Sequence, residues 1–477
     1  MSDPPAAAAP AAAAPADGFD DPAFRARRTQ NWMVLGLLYA FFYATRYNLS
    51  ATSGQLTSYF GWTNTQYGIF ETMGPLVYGA SVLVNGPIAD RIGGKKAFLF
   101  GAVGVVVMNF LFGLGTLVVQ TPAVWSGEGK AAVLVTPAVL GYGFTSGTTI
   151  AMMAAFWGIN GYFQSFGALS IVKVNAQWFH VRERGTFAGI FGVLIRFGLI
   201  LAFSGVPWLA GRLSLVWAFW IPALGVAVLF ALNYFLMENA PADAGFEGLD
   251  TGDGSTVGDE KPAPLGEILR KVFASRAAWT IAGGSMMIGF VRRSTVDVWF
   301  AKYFSNVWLP KGTLLSDYLP YQAAAWGIAL MGIAGGFAFG IASDRIFGSR
   351  RAPVITLGFS GMAVLLTVLG LAHSGGAGPW AVAGALACLS FFINGSHGMI
   401  GGAASMDFGG RKAAATAAGL FDGIQYFTSA PFVGIGMGKV LDHWGWGAWA
   451  WVPIPFAVMG ALIISTIWNV TPGKKAH

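Results

Sequence analysis

From Trp32 to Trp468 the chain alternates between apolar stretches of about 20 residues or more and short segments that hold most of the charge. Each stretch can cross a hydrocarbon layer about 30 Å thick as a helix, the form in which a chain satisfies its own backbone polar groups in lipid. The pattern predicts spans near 32–54, 65–88, 97–118, 149–178, 187–209, 214–236, 278–303, 321–343, 353–372, 378–403, 415–437 and 447–468, twelve in all. Residues 131–148 are apolar too, but Pro137, several glycines and the span that follows leave no room for a further crossing with even topology. They read as an insertion on the far side, with re-entry into the membrane as the alternative. The first 25 residues are rich in Ala and Pro and lack the basic-then-apolar order of a secretory signal, so a disordered cytoplasmic tail is expected.

Composition and charge support this. The 477 residues are 55% hydrophobic and only 11% charged, against roughly 25% charged for a soluble domain. A net charge of +7 could suggest nucleic acid, but the basic residues sit in clusters between apolar runs rather than in one stripe, and a lipid bilayer is the expected partner. With the amino terminus placed in the cytoplasm, 19 of the 29 Lys and Arg fall on cytoplasmic segments and five on the other side, as the positive-inside rule requires. Both termini are then cytoplasmic, in a cell inner (plasma) membrane. The single cysteine, Cys388, excludes a disulfide framework within the chain and any multi-cysteine metal site, and no GxxxxGK[ST] loop or His-carboxylate cluster points to an enzyme. No cofactor is expected.

The longest charged stretch, 238–276, follows the sixth span and reads as a flexible linker. Domain bounds follow: tail 1–30, a six-helix bundle 31–237, linker 238–276, a second bundle 277–469 and tail 470–477. The halves echo each other, with GPIADRIGGKK (Gly86 to Lys96) after the second span and GIASDRIFGSRR (Gly340 to Arg351) after the eighth. Repeated bundles around a midplane site are the architecture of secondary transporters. Asp90 with Arg91, and Asp344 with Arg345, are candidate cytoplasmic gates, the alternative being ordinary topogenic charge on a tight turn. Each chain supplies both halves, so a functional monomer is expected.

Five basic residues fall within or at the edges of spans: Arg46, Lys173, Arg196, Arg292 and Arg293. A lipid-facing arginine at mid-depth costs at least about 2.5 kcal/mol, so Arg46 in the first span and Arg292 in the seventh are expected on a central cavity. The bland alternative is an intramembrane ion pair, for which Glu71 and Asp297 are available. Two guanidiniums from opposite halves suit an anion, without separating phosphate from sulfate or carboxylate. Arg293 points about 100° away from Arg292 on a helix, so one of the pair is expected to touch protein or the interface instead. Lys173 either draws anions into the vestibule or snorkels, and His397 either couples protons or makes a structural hydrogen bond. Tyr43, Asn48, Tyr78, Asn160, Tyr162, Gln164, Gln425 and Tyr426 are further candidates for the cavity wall, although aromatics at helical spacing are more often packing residues.

The order of FYATRYNLS (Phe42 to Ser50), the DRIGGKK loop, NGYFQSFGALSIVKVNAQWFHVRERG (Asn160 to Gly185), ENAPADAGF (Glu238 to Phe246), RRSTVDVWFAKY (Arg292 to Tyr303) and RKAAATAAGLFDGIQY (Arg411 to Tyr426) resembles the organophosphate:phosphate antiporter family of the major facilitator superfamily. The resemblance implies an all-α membrane protein of the major facilitator fold, with 12 transmembrane helices in two six-helix bundles. It implies exchange of an organic phosphate, such as a sugar phosphate or phosphorylated three-carbon compound, for inorganic phosphate by alternating access. Arg46 and Arg292 match the two arginines that bind phosphate in that family. Gln177 stands where glycerol-3-phosphate members carry a histidine, a departure, while Lys173 matches their nearby basic residue. Proton-coupled organic anion transport, through His397, Glu71 or Asp297, and membrane sensing of sugar phosphate are the alternatives.

Overall fold

The structure, a computed structural model, describes residues 18–117, 124–126, 133–135, 146–180, 183–246, 276–404 and 419–470. The expectations for residues 1–17, for 247–275 of the linker, for Arg411 and Lys412, and for 471–477 lie outside the described residues. Long helices succeed one another as α1 Pro22–Ala51, α2 Asn64–Ile92, α3 Gly94–Gly115, α4 Ser146–Trp178, α5 Arg184–Ile200, α6 Trp217–Leu236, α7 Arg276–Arg292, α8 Leu319–Ile341, α9 Arg351–Ser374, α10 Gly378–Gly398, α11 over 419–431, and α12 Ile454–Ser465. Asp21 opens α1, its Oδ1 accepting from Ala23 N at 3.0 Å with Pro22 at the first helical position. The two echoed loops turn sharply on left-handed residues, Gly93 (φ 87°) in one and Gly348 and Ser349 (φ 59° and 63°) in the other.

Among the described residues, six helical runs are long and apolar enough to cross a membrane: Gly94–Gly115, Gly192–Arg212, Trp217–Leu236, Leu319–Ile346, Arg351–Ser374 and Gly378–Gly401. Helices α1, α2 and α4 are longer, at 30, 29 and 33 residues, but spend positions on Arg46, Glu71, Asn160 and Gln164, which face inward. The outer skin is apolar, with Phe100, Val228, Leu330, Val364 and Leu462 exposed, as a surface solvated by lipid tails requires. Helices α1 to α6 pack on one another, chiefly α2 and α3 on α4 and α1 on α5 and α6; α8 packs on α10, and α9 on α10 and α12. The two groups meet where α5 packs on α8, and where α2 packs on the π-helical turn Phe432–Gly436 and the short helix Met437–Trp444 that follow α11.

Close approach along the second seam depends on glycine. A Cβ on Gly68 would stand 2.4 Å from Gly434 O, and one on Gly438 would stand 2.4 Å from Asn64 O. This seam is tightest at the face away from the chain termini, termed here the distal face, the opposite one being the terminal face. Asp442 there accepts from Asn64 N and Nδ2 at 2.9 and 2.8 Å and from Thr65 N and Oγ1 at 2.8 and 2.6 Å. Arg212 pairs with Asp317 at 2.8 Å, and Tyr321 OH donates to Phe203 O at 2.5 Å. Among the described residues, every hydrogen bond or ion pair between α1–α6 and α7–α12 lies at mid-depth or at the distal face. Among the described residues the terminal face carries none.

Residues 238–246, the expected start of the linker, dock under α1 to α4. Glu238 pairs with Lys95 at 3.2 Å and Arg27 at 3.8 Å, its backbone oxygen accepts from Asn31 and Trp178, and Phe246 packs edge-on against Phe24. Both ion pairs are about a quarter exposed, so Glu238→Ala should cost only about 1 kcal/mol, read as a small drop in thermal midpoint in detergent. The insertion expected at 131–148 is described only at Val133–Val135 and Ser146 onward. Val133–Val135 pairs antiparallel with Val124–Ser126, a two-stranded ribbon in an otherwise helical fold.

Candidate functional site

A cavity of about 40 Å³, room for about three water molecules, sits at mid-depth between the two groups of helices. It is walled by α1 (Arg46, Tyr47, Ser50), α2 (Glu71, Gly74, Pro75, Tyr78), α4 (Trp157, Asn160, Gly161, Gln164), Arg293, Val298 and Tyr426. Arg46 is half-buried, its guanidinium 4.6 Å from the Tyr78 ring centre and 5.1 Å from that of Tyr43. Gln164 aims it, accepting from Arg46 Nε at 3.3 Å while its own amide donates to Phe42 O and Thr45 Oγ1. Among the described residues, no carboxylate lies within ion-pair distance of Arg46. Its charge is the least compensated of the arginines facing the wall.

Arg292 and Arg293 end α7 and begin the π-helical turn Arg293–Asp297. That wider turn brings Asp297, five residues on, back beside Arg292, with Nε to Oδ2 at 3.3 Å. Tyr47 OH, from the other group of helices, also donates to Asp297, at 3.2 Å. Arg292 Nη2 donates to Tyr426 OH at 2.9 Å. With its amide oxygen turned toward the guanidinium, Gln425 accepts from Arg292 Nη2 and Nε at 2.9 and 3.2 Å and donates to His397 Nδ1 at 3.2 Å. Arg293 donates to Glu71 O at 2.9 Å and Ser429 Oγ at 3.1 Å, with the Glu71 carboxylate 3.9 Å away and itself held by Ser50 and Tyr67. Arg293 thus touches protein and also borders the cavity, whereas Arg292, expected on the cavity, stands behind Tyr426 and is not on the wall. The ion-pair alternative is met for Arg292, with Asp297, but not for Arg46: Glu71 pairs with Arg293 instead.

The remaining candidates separate by position. Tyr78 and Tyr426 stack edge-on, 4.8 Å between centres, and join the Arg46 side to the Arg292 side. Asn160 is on the wall; Asn48 is not, being fully buried and linked back to Asn160 through Asn109 at 2.9 and 3.2 Å. Tyr162 packs instead against Phe163 and Phe166. Lys173 Nζ donates to Ala89 O at 3.1 Å, at the C-terminal end of α2, some 14 Å along α4 from Gln164. Gln177 is half-buried about 20 Å from Gln164 by the same measure. Of the loop acids, Asp344 pairs with Arg351 at 2.6 Å within its own group of helices, Arg91 and Arg345 are exposed, and the Asp90 side chain lies outside the described residues.

Sequence reading missed Asp422, half-buried on α11, whose Oδ2 accepts from Tyr78 OH at 3.4 Å and whose charge acts on both Arg46 and Arg292. The signal was available: Asp422, Gln425 and Tyr426 stand at i, i+3 and i+4, one face of a helix. It also missed Tyr47 and Asn394, plain polar residues that gain meaning only from what they touch.

A sequence model described as Major Facilitator Superfamily matches residues 35–433. The glycerol-3-phosphate transporter of Bacillus subtilis (strain 168) is 28% identical over 466 residues, covering 96% of this chain and 95% of that protein. A protein of Chlamydia trachomatis named "Probable hexose phosphate transport protein" is 25% identical over 460 residues, 92% of this chain and 90% of that one. The membrane sensor protein UhpC of Salmonella typhimurium is 24% identical over 470 residues, 96% of this chain and 95% of that one. Among solved structures, the xylose transporter XylE from E. coli in a partially occluded inward open conformation matches with a TM-score of 0.64 and 14% identity, over 93% of this chain and 99% of that one, a likeness of fold alone. A family match that runs from α1 into the turn beyond α11, on a helical chain with an apolar skin and a polar cavity between two groups of helices, is decisive: the chain belongs to the major facilitator superfamily.

Proposed function

We propose that the protein is a secondary transporter that exchanges an organic phosphate for inorganic phosphate across the cell inner membrane by alternating access. The observation that carries this reading is a pair of guanidiniums brought from opposite halves to the two sides of the Tyr78–Tyr426 contact: Arg46 on the cavity wall, with no carboxylate partner among the described residues, and Arg292 just behind the wall, on Tyr426 and paired with Asp297. A phosphoryl head there would meet planar, always-charged donors on both sides and displace the cavity water. Each half binds part of one anion, so rocking the halves exposes the site to either side in turn. The relatives named for phosphate esters favour phosphate over other anions. In this reading the chain forms two six-helix bundles of twelve helices, acts as a monomer and keeps both termini in the cytoplasm. The distal closure then makes this the inward-facing state, and Asp90 with Arg91 and Asp344 with Arg345 are loops that meet when the terminal face shuts.

The test is uptake of labelled phosphate into liposomes loaded with inorganic phosphate. Saturable uptake that needs internal phosphate and is competed by phosphate esters is expected. Uptake that follows a proton gradient and ignores internal phosphate would replace exchange with proton coupling, and no flux from folded, inserted protein would favour sensing. Within the same assay, Tyr426→Phe keeps the ring but removes the hydroxyl that accepts from Arg292, and should raise half-saturation for phosphate by up to about tenfold.

A further inference from the structure

Arg196 is a fourth guanidinium at mid-depth, and the two-arginine clamp does not use it. It projects from α5 across to the other half, where Nη2 donates to Asn394 Oδ1 on α10. Asn394 is fixed for that task, its amide donating to Ser390 O and Oγ at 2.9 and 2.8 Å. Gly332 on α8 supplies the seat: a Cβ there would stand 3.1 Å from Arg196 Cζ and 3.2 Å from Nη1. A neutral amide satisfies one donor of five and cancels no charge. Arg292 has Asp297 and Arg293 has Glu71, but among the described residues no carboxylate is within ion-pair reach of Arg196. The groups that act on it are Tyr43 and Tyr47 of α1, Arg292 and Asp297 of the α7 end, and His397 of α10, so it shares the electrostatics of the phosphate site.

Among the described residues, mid-depth thus holds four guanidiniums, of Arg46, Arg196, Arg292 and Arg293, against three carboxylates, of Glu71, Asp297 and Asp422, with Lys302 buried one turn nearer the distal face against Tyr67. A cation held in that setting without a fixed counter-ion is costly unless cargo supplies one. We propose, resting on the phosphate-exchange reading, that Arg196 binds a second anionic group of the cargo, which is therefore a phosphorylated acid or a bisphosphate rather than a neutral sugar or polyol phosphate. Arg46 and Arg292 hold the phosphoryl head, and Arg196, entering from α5, reads the far end. A carboxylate or a second phosphoryl group each fits the guanidinium fork.

Matched competitors test this in the phosphate-loaded liposomes: glycerol 3-phosphate against 3-phosphoglycerate, glucose 6-phosphate against 6-phosphogluconate, and fructose 6-phosphate against fructose 1,6-bisphosphate. Within a pair the second anionic group is the main difference, and the ratio of half-inhibitory concentrations cancels any general change in flux. In the wild type the doubly anionic member of at least one pair should compete about tenfold better or more, and the pair that responds tells carboxylate from phosphoryl. Arg196→Gln should bring that ratio near one, and Arg196→Lys should keep part of it. A wild-type ratio near one in all three pairs, or a preference that survives in Arg196→Gln, overturns the proposal. The wild-type comparison needs no variant, so a variant that fails to reconstitute leaves it decisive. Absence of wild-type phosphate exchange would instead sink the exchange reading itself.

Discussion

Replacing Arg46 by lysine should lower phosphate exchange about a hundredfold while the protein still folds and inserts. The guanidinium is half-buried between the Tyr43 and Tyr78 rings and aimed by Gln164. Lysine keeps the charge but loses the planar fork, so two parallel charge-assisted hydrogen bonds to a phosphoryl head become one, and much of the ring contact goes with them. A loss of about 3 kcal/mol is a factor of about 100. Stability should barely change, because lysine keeps the positive charge that Asp422 faces and, among the described residues, no carboxylate is ion-paired with Arg46. Arg292→Lys should reduce exchange comparably, with an added structural cost, since Asp297 and Tyr426 both lose partners. Arg293→Lys should spare exchange more and destabilise more, because Glu71 keeps a weakened partner deep between the halves. Initial rates in liposomes, with thermal unfolding in detergent alongside, separate the three. Near-normal exchange by Arg46→Lys would remove that residue from the clamp.

How much of this was legible from sequence depended on range. Helix positions follow from runs of apolar residues, a local property, and the sharp loops at Gly93 and Gly348 from residue types that tolerate positive φ. That Arg46 and Arg292 belong inside follows from the cost of charge in lipid. Which side of a helix a polar residue faces is a packing outcome. Asn48 and Tyr162 looked like wall residues, yet one is a support behind Asn160 and the other fills space beside Phe166. The π-helical turn after Arg292 is invisible to a fixed 100° rotation per residue, and it is what sets Asp297 beside Arg292. Long-range partners were out of reach for the same reason: Arg196 meets Asn394, 198 positions away, and Asp422 meets Tyr78, 344 away.

Asp442 is one such partner, and Asp442→Ala should open the distal face. Thr63 caps α2 by accepting from Gln66 N at 3.1 Å, but the next two orphan donors, Asn64 N and Thr65 N, are satisfied only by the Asp442 carboxylate from the opposite half. An anion at a helix N-terminus is also favoured by the helix dipole. Separating the halves there gives up four hydrogen bonds to one carboxylate, and water replaces them incompletely. A net preference of roughly 2 kcal/mol, about thirtyfold in the ratio of conformers, is expected to vanish with the side chain. Ser305, whose Cβ would stand 2.5 Å from a Cβ on Gly54, reports on closure. In a Cys388→Ser background, Ser305→Cys should react many times faster with a membrane-impermeant maleimide added on the distal side once Asp442 is alanine. Equal rates would mean that the glycine seam, not the carboxylate, keeps this face shut. The Asp442 carboxylate should also stay ionised through the physiological pH range. Burial alone would raise the Asp442 carboxyl, but the hydrogen bonds from Thr65 and Asn64 outweigh it and hold the group below its usual range. A depressed folded-state value gives stabilisation that is present above the unfolded value, near 3.9, and lost only as pH falls through the folded one. Labelling of Ser305→Cys with Asp442 intact should therefore show no step from this carboxylate between about pH 5 and about pH 8, once corrected for thiol ionisation.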